Sequence, residues 1–224
     1  QLTYNFNNRI GSGFLEQRDG GLSVFGLSIL ERMQTVGMAV DVSHCGDQTT
    51  LDALDAAKKP VVFTHATARA LVPGHLRCKT DEAIRKMAKT GGVMGIAYIR
   101  FMDRNQEPVT IEHVLDHFDY VAKLIGVEQV AVGSDLDAVG NPNAVGVPTS
   151  GPGSFDPKTQ PNFSRYQYHE DTDGAITVKG LNHAARMFDL AEGLIRRGYN
   201  DADIKGILGG NAIRVLGSIW PASA

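Results

Sequence analysis

Cysteine is nearly absent: Cys45 and Cys78 are the only two in 224 residues. No disulfide framework can hold this fold together, and so low a count leans toward a cytoplasmic setting. Long apolar runs are also missing, which excludes a membrane-spanning helix. Charge of one sign is not in excess. The 22 Lys and Arg stand against 25 Asp and Glu, a net charge of -3 without any basic block, which argues against a nucleic-acid partner. There is no glycine-rich phosphate loop, no G-x-S-x-G elbow, no CxxC and no HExxH. No repeat of fixed period is present. The chain opens Gln-Leu-Thr-Tyr-Asn, without a Met or a signal-like segment, and residues 2–5 already read as the end of a strand. The expectation is a chain that starts inside a fold.

What remains is an ordinary globular composition, 42% hydrophobic and 21% charged, long enough to bury a full core. Residues 22–36 carry Leu22, Phe25, Ile29, Leu30 and Met33 at helical spacing and stop at Gly37. Further helices are expected over residues 47–58, 80–89, 111–125 (behind Thr110 as N-cap), 181–197 and 200–208 (with Asn200 as N-cap), with a final turn after Gly209-Gly210. Five strands are expected, over residues 2–5, 38–43, 61–64, 92–99 and 130–133. Strands alternating with helices imply parallel pairing through crossovers, and buried parallel strands read as continuous apolar runs such as "PVVF". The reading is one α/β domain over residues 1–224. It is either an open sheet or the C-terminal part of a closed (β/α)8 barrel, which needs eight strands. Residues 138–165 hold five of the nine prolines and four glycines, and are expected to form a lid over the C-terminal face.

Two of the strands stop on a histidine: "MAVDVS" ends at His44 and "VVFT" at His65. In a parallel α/β fold all strands present their C-terminal ends on one face, where sites are built. Adjacent strands lie about 4.8 Å apart, so two imidazoles at matched heights can share one metal ion, and imidazole suits zinc. A lone strand-end histidine is more often a hydrogen-bonded structural residue; two across one β-α-β unit favour ligation. The strand over residues 130–133 leads into Asp135, with Asp137 beyond. A carboxylate there can move a proton or hold an amine, or simply cap a loop. Arg77, after His65 and before a helix, can fork onto a substrate carboxylate; a surface ion pair is its plainer reading. Asp41, three residues before His44, could orient a ligand histidine from behind, although strand alternation turns it away from His44. His113 and His117 read as solvated, His75, His169 and His183 lack partners at ligand spacing, and Cys45 reads as a bystander thiol.

Taken together, "LTYN", "DGGLSVFG", "GMAVDVSH", "PVVFTHATARAL", "HLRCKTDEAIRKMAKTGGVMGI", "VAVGSDLD" and "IKGILGGNAIRVL" resemble the membrane (renal-type) dipeptidase family, the M19 metallopeptidases. The resemblance implies a (β/α)8 barrel that cleaves dipeptides with two zinc ions bridged by a carboxylate and a hydroxide. It implies that His44 and His65 ligate the second zinc, that Arg77 binds the substrate's C-terminal carboxylate, and that Asp135 assists proton transfer and faces the substrate amine. Two departures stand out. The family's His-x-Asp pair for the first metal and its bridging Glu are not in this sequence and are expected before residue 1. Tyr4 stands where the renal-type enzyme has a substrate-contacting histidine, and its hydroxyl could serve a tetrahedral oxyanion. This chain alone is expected to be inactive, completed by a longer polypeptide, a complementary N-terminal chain or a homo-oligomer. The alternatives are another barrel amidohydrolase, acting on N-acyl amino acids or lactones, and a non-catalytic barrel remnant.

Overall fold

The structure is a computed structural model and describes residues 1–103, 108–136 and 178–220. Asp137, the proline-rich residues 138–165 and His169 lie outside the described residues. In order, the elements are α1 (Val24–Thr35), β1 (Val40–Asp41), α2 (Asp47–Ala56), β2 (Val61–Ala66), α3 (Asp81–Lys89), β3 (Met94–Ile96), α4 (Arg100–Asp103), α5 (Ile111–Ile125), β4 (Val130–Val132), α6 (Arg186–Arg196), α7 (Asp201–Lys205) and α8 (Asn211–Ile219). Their ends follow local chemistry. Ser23, Thr80 and Asn200 cap α1, α3 and α7 through side-chain oxygens, and Thr110 forms a capping box with His113 on α5. Gly37 ends the turn after α1 with φ 74°, a left-handed conformation in which glycine carries no Cβ penalty. The predicted apolar face of α1 is only partly covered: Leu30 is buried, whereas Phe25 stays half exposed beneath the guanidinium of Arg9.

All four strands are parallel, in the order β1-β2-β3-β4. That sequential order has no reversal point. It is the order of a (β/α) barrel wall and differs from a doubly wound sheet, whose strand order turns back on itself. The described residues hold four strands where five were expected. Residues 2–5 make one ladder-like contact, Leu2 N–H to the Asp41 carbonyl at 3.2 Å, before turning away. The backbone carbonyl of Asn5 instead accepts the Leu15 N–H, and its side chain engages His44. The main core joins the strands to α2, α3, α5 and α6 through residues such as Val40, Phe63, Ile84, Met94, Phe118 and Leu190. At the far end, a wide turn over Gly206–Gly210 leads into α8, and Asn211 Nδ2 donates to the carbonyls of Val127 and Val130. Those two bonds tie the "GGNA" stretch to the start of β4. No helix among the described residues is long and apolar enough to cross a membrane.

Candidate active site

The C-terminal ends of β1, β2 and β4 bring His44, His65 and Asp135 together, and their geometry begins with a defect in β2. Phe63 pairs with Met94 and Ala66 with Ile96, so β2 spends three steps where β3 spends two. The extra residue is a bulge, a device that re-aims a side chain. Its carbonyl, that of Thr64, lies against Gly95 and Gly133, and a Cβ on either glycine would collide with it. The bulge also strands two backbone donors, which find side chains on β1 and on the turn that follows it. The Thr64 N–H donates to Asp41 Oδ1 at 3.1 Å, and the His65 N–H donates to Ser43 Oγ at 3.2 Å. The alternation in "DVSH" therefore has two uses: Asp41 and Ser43 face the bulge while His44 faces the site.

The same network sets both imidazole tautomers. Asp41 accepts the Ser43 N–H at 3.0 Å, the Ser43 hydroxyl at 2.6 Å and the Thr64 hydroxyl at 2.8 Å. With its only hydrogen on Asp41, the Thr64 hydroxyl can only accept from His65 Nδ1, 2.8 Å away. His44 Nδ1 donates to Asn5 Oδ1 at 2.8 Å. Both Nδ1 atoms thus carry the proton, and both Nε2 atoms present bare lone pairs, 2.9 Å apart. Two lone pairs facing each other at that distance repel unless a cation lies between them. Two Zn–N bonds of about 2.0–2.1 Å at a tetrahedral angle would separate the nitrogens by about 3.3 Å, within a few tenths of what is present. The donor set therefore fits an imidazole-ligated metal. Among the described residues no group of three His, Cys, Asp or Glu converges to hold a metal.

Charge and burial support neutral rings. His44 is pushed down to about 2 by burial first, then by the cations of Arg77 and Lys79 and its neighbour His65. His65 is lowered by burial and Arg77, against the pull of Asp135 and Asp41. Asp41 is held below the usual carboxylate range although burial raises it, because the hydrogen bonds from Ser43 and Thr64 outweigh that cost.

The other expected site residues lie around this pair. Asp135 is the one non-glycine residue with positive φ among those described, at 57°. Such a conformation costs on the order of 1–3 kcal/mol and clusters at functional sites. Its carboxylate is half exposed, with Oδ2 4.0 Å from His65 Nε2. Tyr4 is exposed and stacks on the His44 ring, centroids 4.3 Å apart. Arg77 is no surface residue: it is 2% exposed, donates NH1 to the Ser43 carbonyl and NH2 to the His65 carbonyl at 2.9 Å, and is pushed down to about 10 by burial. Arg69 is committed to a bidentate pair with Asp47, both bonds 2.7 Å.

Two readings need correction. His117 is fully buried, not solvated: its Nδ1 accepts the Ala68 N–H at 3.2 Å, and its Nε2 donates to the Asp103 carbonyl at 3.2 Å. His113 caps α5. Asp41 does face away from His44, yet through Thr64 it orients His65. Asn5, Ser43, Thr64 and Lys79 were also missed. A β-bulge has no signature in a lone apolar run; the clustering of Asp, Ser, Thr and Gly at matched strand ends was the available sign. Cys45 is buried with its thiol raised by burial, which fits a bystander.

The profile of the membrane dipeptidase family, peptidase family M19, matches residues 1–146 and 170–223. Dipeptidase verJ of Clonostachys rogersoniana is 32% identical over 204 residues, covering 91% of this chain and 43% of that protein. Dipeptidase tcpJ of Claviceps purpurea is 28% identical over 205 residues, covering 91% and 40% respectively. The chain thus spans less than half the length of these relatives. Among solved structures, an amidohydrolase from Pseudomonas aeruginosa superposes with a TM-score of 0.76 at 27% identity, over 97% of this chain and 63% of that one. A metallo peptidase from Rhodobacter sphaeroides, bound to a phosphinate mimic of the dipeptide L-Ala-D-Ala, superposes with a TM-score of 0.74 over 97% and 54%. At 19% identity that likeness is one of fold alone.

Proposed function

Because this chain belongs to the membrane dipeptidase family, peptidase family M19, we propose that its strand ends form part of a zinc dipeptidase site in the whole protein. The observation that carries the reading is the pair of bare Nε2 atoms of His44 and His65, 2.9 Å apart. In this reading the two imidazoles hold one zinc ion, and the remaining ligands come from outside the described residues. When bound, the metal supplies Lewis-acid polarisation of the peptide carbonyl and an activated water. The chain's own residues do the rest. Asp135, at the rim beside His65, takes up and returns a proton or holds the substrate's ammonium group. Tyr4, stacked on His44 and exposed, lies where its hydroxyl can donate to the oxyanion of the tetrahedral state. Arg77 supplies the positive charge that draws the substrate's carboxylate.

A second reading of Arg77 has its own support. Two of its N–H groups are already on the carbonyls of Ser43 and His65, so it also ties the two histidine-bearing strand ends together. Cys45 and Cys78, both buried free thiols, fit a reducing compartment and hence a cytoplasmic protein.

The test uses the full-length protein. Metal analysis should find zinc, and a chelator should abolish release of free amino acids from a dipeptide panel until zinc is restored. Cleavage of free dipeptides but not of their N-acyl forms separates this reading from an N-acyl amino acid hydrolase. His65→Ala should lower occupancy of one ion more than of any other; equal loss of all, in a folded protein, would overturn the assignment. An intact mass of the natural product tells whether one polypeptide or two complete the site.

A further inference from the structure

Behind the two histidines sits a buried ammonium that the chemistry above does not use. Lys79 is 1% exposed. Its Nζ donates to the Val42 carbonyl at 2.9 Å, the Cys45 carbonyl at 2.9 Å and Thr50 Oγ1 at 3.3 Å, which occupies all three of its hydrogens. The ammonium also lies 5.4 Å from the centroid of the Phe63 ring. None of these partners carries a charge. Burying an ammonium without a counter-ion costs several kcal/mol, and an apolar side chain would fill the same volume without that cost. The position of the three bonds therefore needs a reason.

The backbone provides one. Lys79 N–H donates to the Thr67 carbonyl at 2.8 Å, and its own carbonyl accepts the Arg69 N–H at 2.8 Å. These bonds form a parallel bridge between Lys79 and Ala68, just beyond His65. The backbone of Lys79 is thus fixed to the continuation of β2, while its side chain holds the two carbonyls that bracket His44 in sequence. Arg77 crosses the same gap with its bonds to Ser43 and His65. One extended segment, carrying two cations, fastens both histidine-bearing ends at several points. Hydrogen bonds to a charged donor are stiffer than neutral ones, and the turn after β1 is too short to hold its shape by ladder bonds, since β1 itself covers two residues.

We infer that Lys79 is a positioning residue that sets the reach between His44 and His65, by fastening the Val42 and Cys45 carbonyls to the chain that follows β2. The inference rests on the reading that the two imidazoles share a metal ion, and its test separates the two. The full-length protein is stripped of metal and titrated with Co²⁺, whose visible d–d bands report ligand geometry; the bands lost in His65→Ala identify this site. Lys79→Met should weaken Co²⁺ there about tenfold or more and move its bands, the size expected for losing a group that orients a ligand. In a His44→Ala background the same replacement should change affinity less than about twofold, because the ring it positions is gone. Unchanged binding and bands in a folded Lys79→Met protein would overturn the inference, as would equal weakening in both backgrounds. Failure of the unaltered protein to bind Co²⁺ through His65 would overturn the shared-ion reading and this inference with it. Should Lys79→Met not fold, Thr50→Val withdraws one acceptor and keeps the ammonium. It should move the same bands and weaken binding about twofold, and an unchanged spectrum would again refute the role.

Discussion

Replacing Asp41 by Asn alters no volume, yet it should reverse the proton on His65. Asp41 Oδ1 accepts three donors: the Thr64 N–H, the Ser43 N–H and the Ser43 hydroxyl. In Asp41→Asn that position must stay an oxygen, so the new amide nitrogen faces Thr64 Oγ1, now 2.8 Å from Oδ2. The Thr64 hydroxyl then accepts from the amide and turns its own hydrogen toward His65 Nδ1. That nitrogen becomes an acceptor, the proton moves to Nε2, and the lone pair aimed at His44 is lost. Weakening three charge-assisted bonds to neutral ones costs about 3 kcal/mol. Relief of the buried carboxylate's desolvation offsets part of this, leaving about 1–3 kcal/mol of destabilisation. Metal affinity at the pair should fall about 10- to 100-fold. The assay is ¹⁵N NMR of the imidazoles in the metal-free full-length protein, with zinc affinity measured alongside. Thr64→Val gives the ordering: it removes the relay without inverting it, so it should weaken zinc less than Asp41→Asn does. An unprotonated His65 Nε2 in Asp41→Asn, with zinc affinity within about twofold of the unaltered protein, would refute the relay.

Other expected outcomes follow from the same contacts. Arg77→Met should cut kcat/KM for dipeptides about ten- to a hundredfold, the value of a charge-assisted contact of 1.5–3 kcal/mol, and should impair a dipeptide amide far less; equal losses on both substrates would make Arg77 a strand-end tie alone. Gly133→Ala would drive a Cβ into the Thr64 carbonyl, and should displace the bulge, lower the melting temperature and weaken zinc more than Ala131→Gly does. His117 is lowered to about 4, by burial above all. The unfolded chain therefore binds the proton first, and this residue's contribution to stability is present above about pH 6.5 and lost as pH falls toward 4, by roughly 1.4 kcal/mol per unit. Asp103, its carboxyl raised well above the usual range by burial, acts in the opposite sense. The measured quantity is accordingly the difference in urea stability between the unaltered protein and His117→Gln. A difference independent of pH between about 6.5 and 4.5 would show that His117 is protonated in the folded state.

Helices and parallel strands were legible in the sequence because apolar spacing, caps and glycine stops act over a few residues, and packing does not reverse them. The strand-end positions of His44 and His65 followed for the same reason, since a parallel fold puts every strand end on one face. What tertiary structure alone decided is how those ends meet. The bulge at Thr64 exists because β2 runs one residue longer than β3 between fixed pairings, and pairing across 30 residues leaves no local mark. For Asp41 the sequence offered only an orienting role that alternation weighed against; the neighbouring strand shows that it faces Thr64 and so orients His65. His117 shared a helix face with His113 in the periodicity, but the loop after β2 folds over it and takes its Nδ1. Arg77 read by position as a surface cation until the fold placed carbonyls around it. A local pattern fixes which way a side chain points along its own element. Which donor or acceptor waits there depends on the approach of a distant segment, and that is a property of the packed chain.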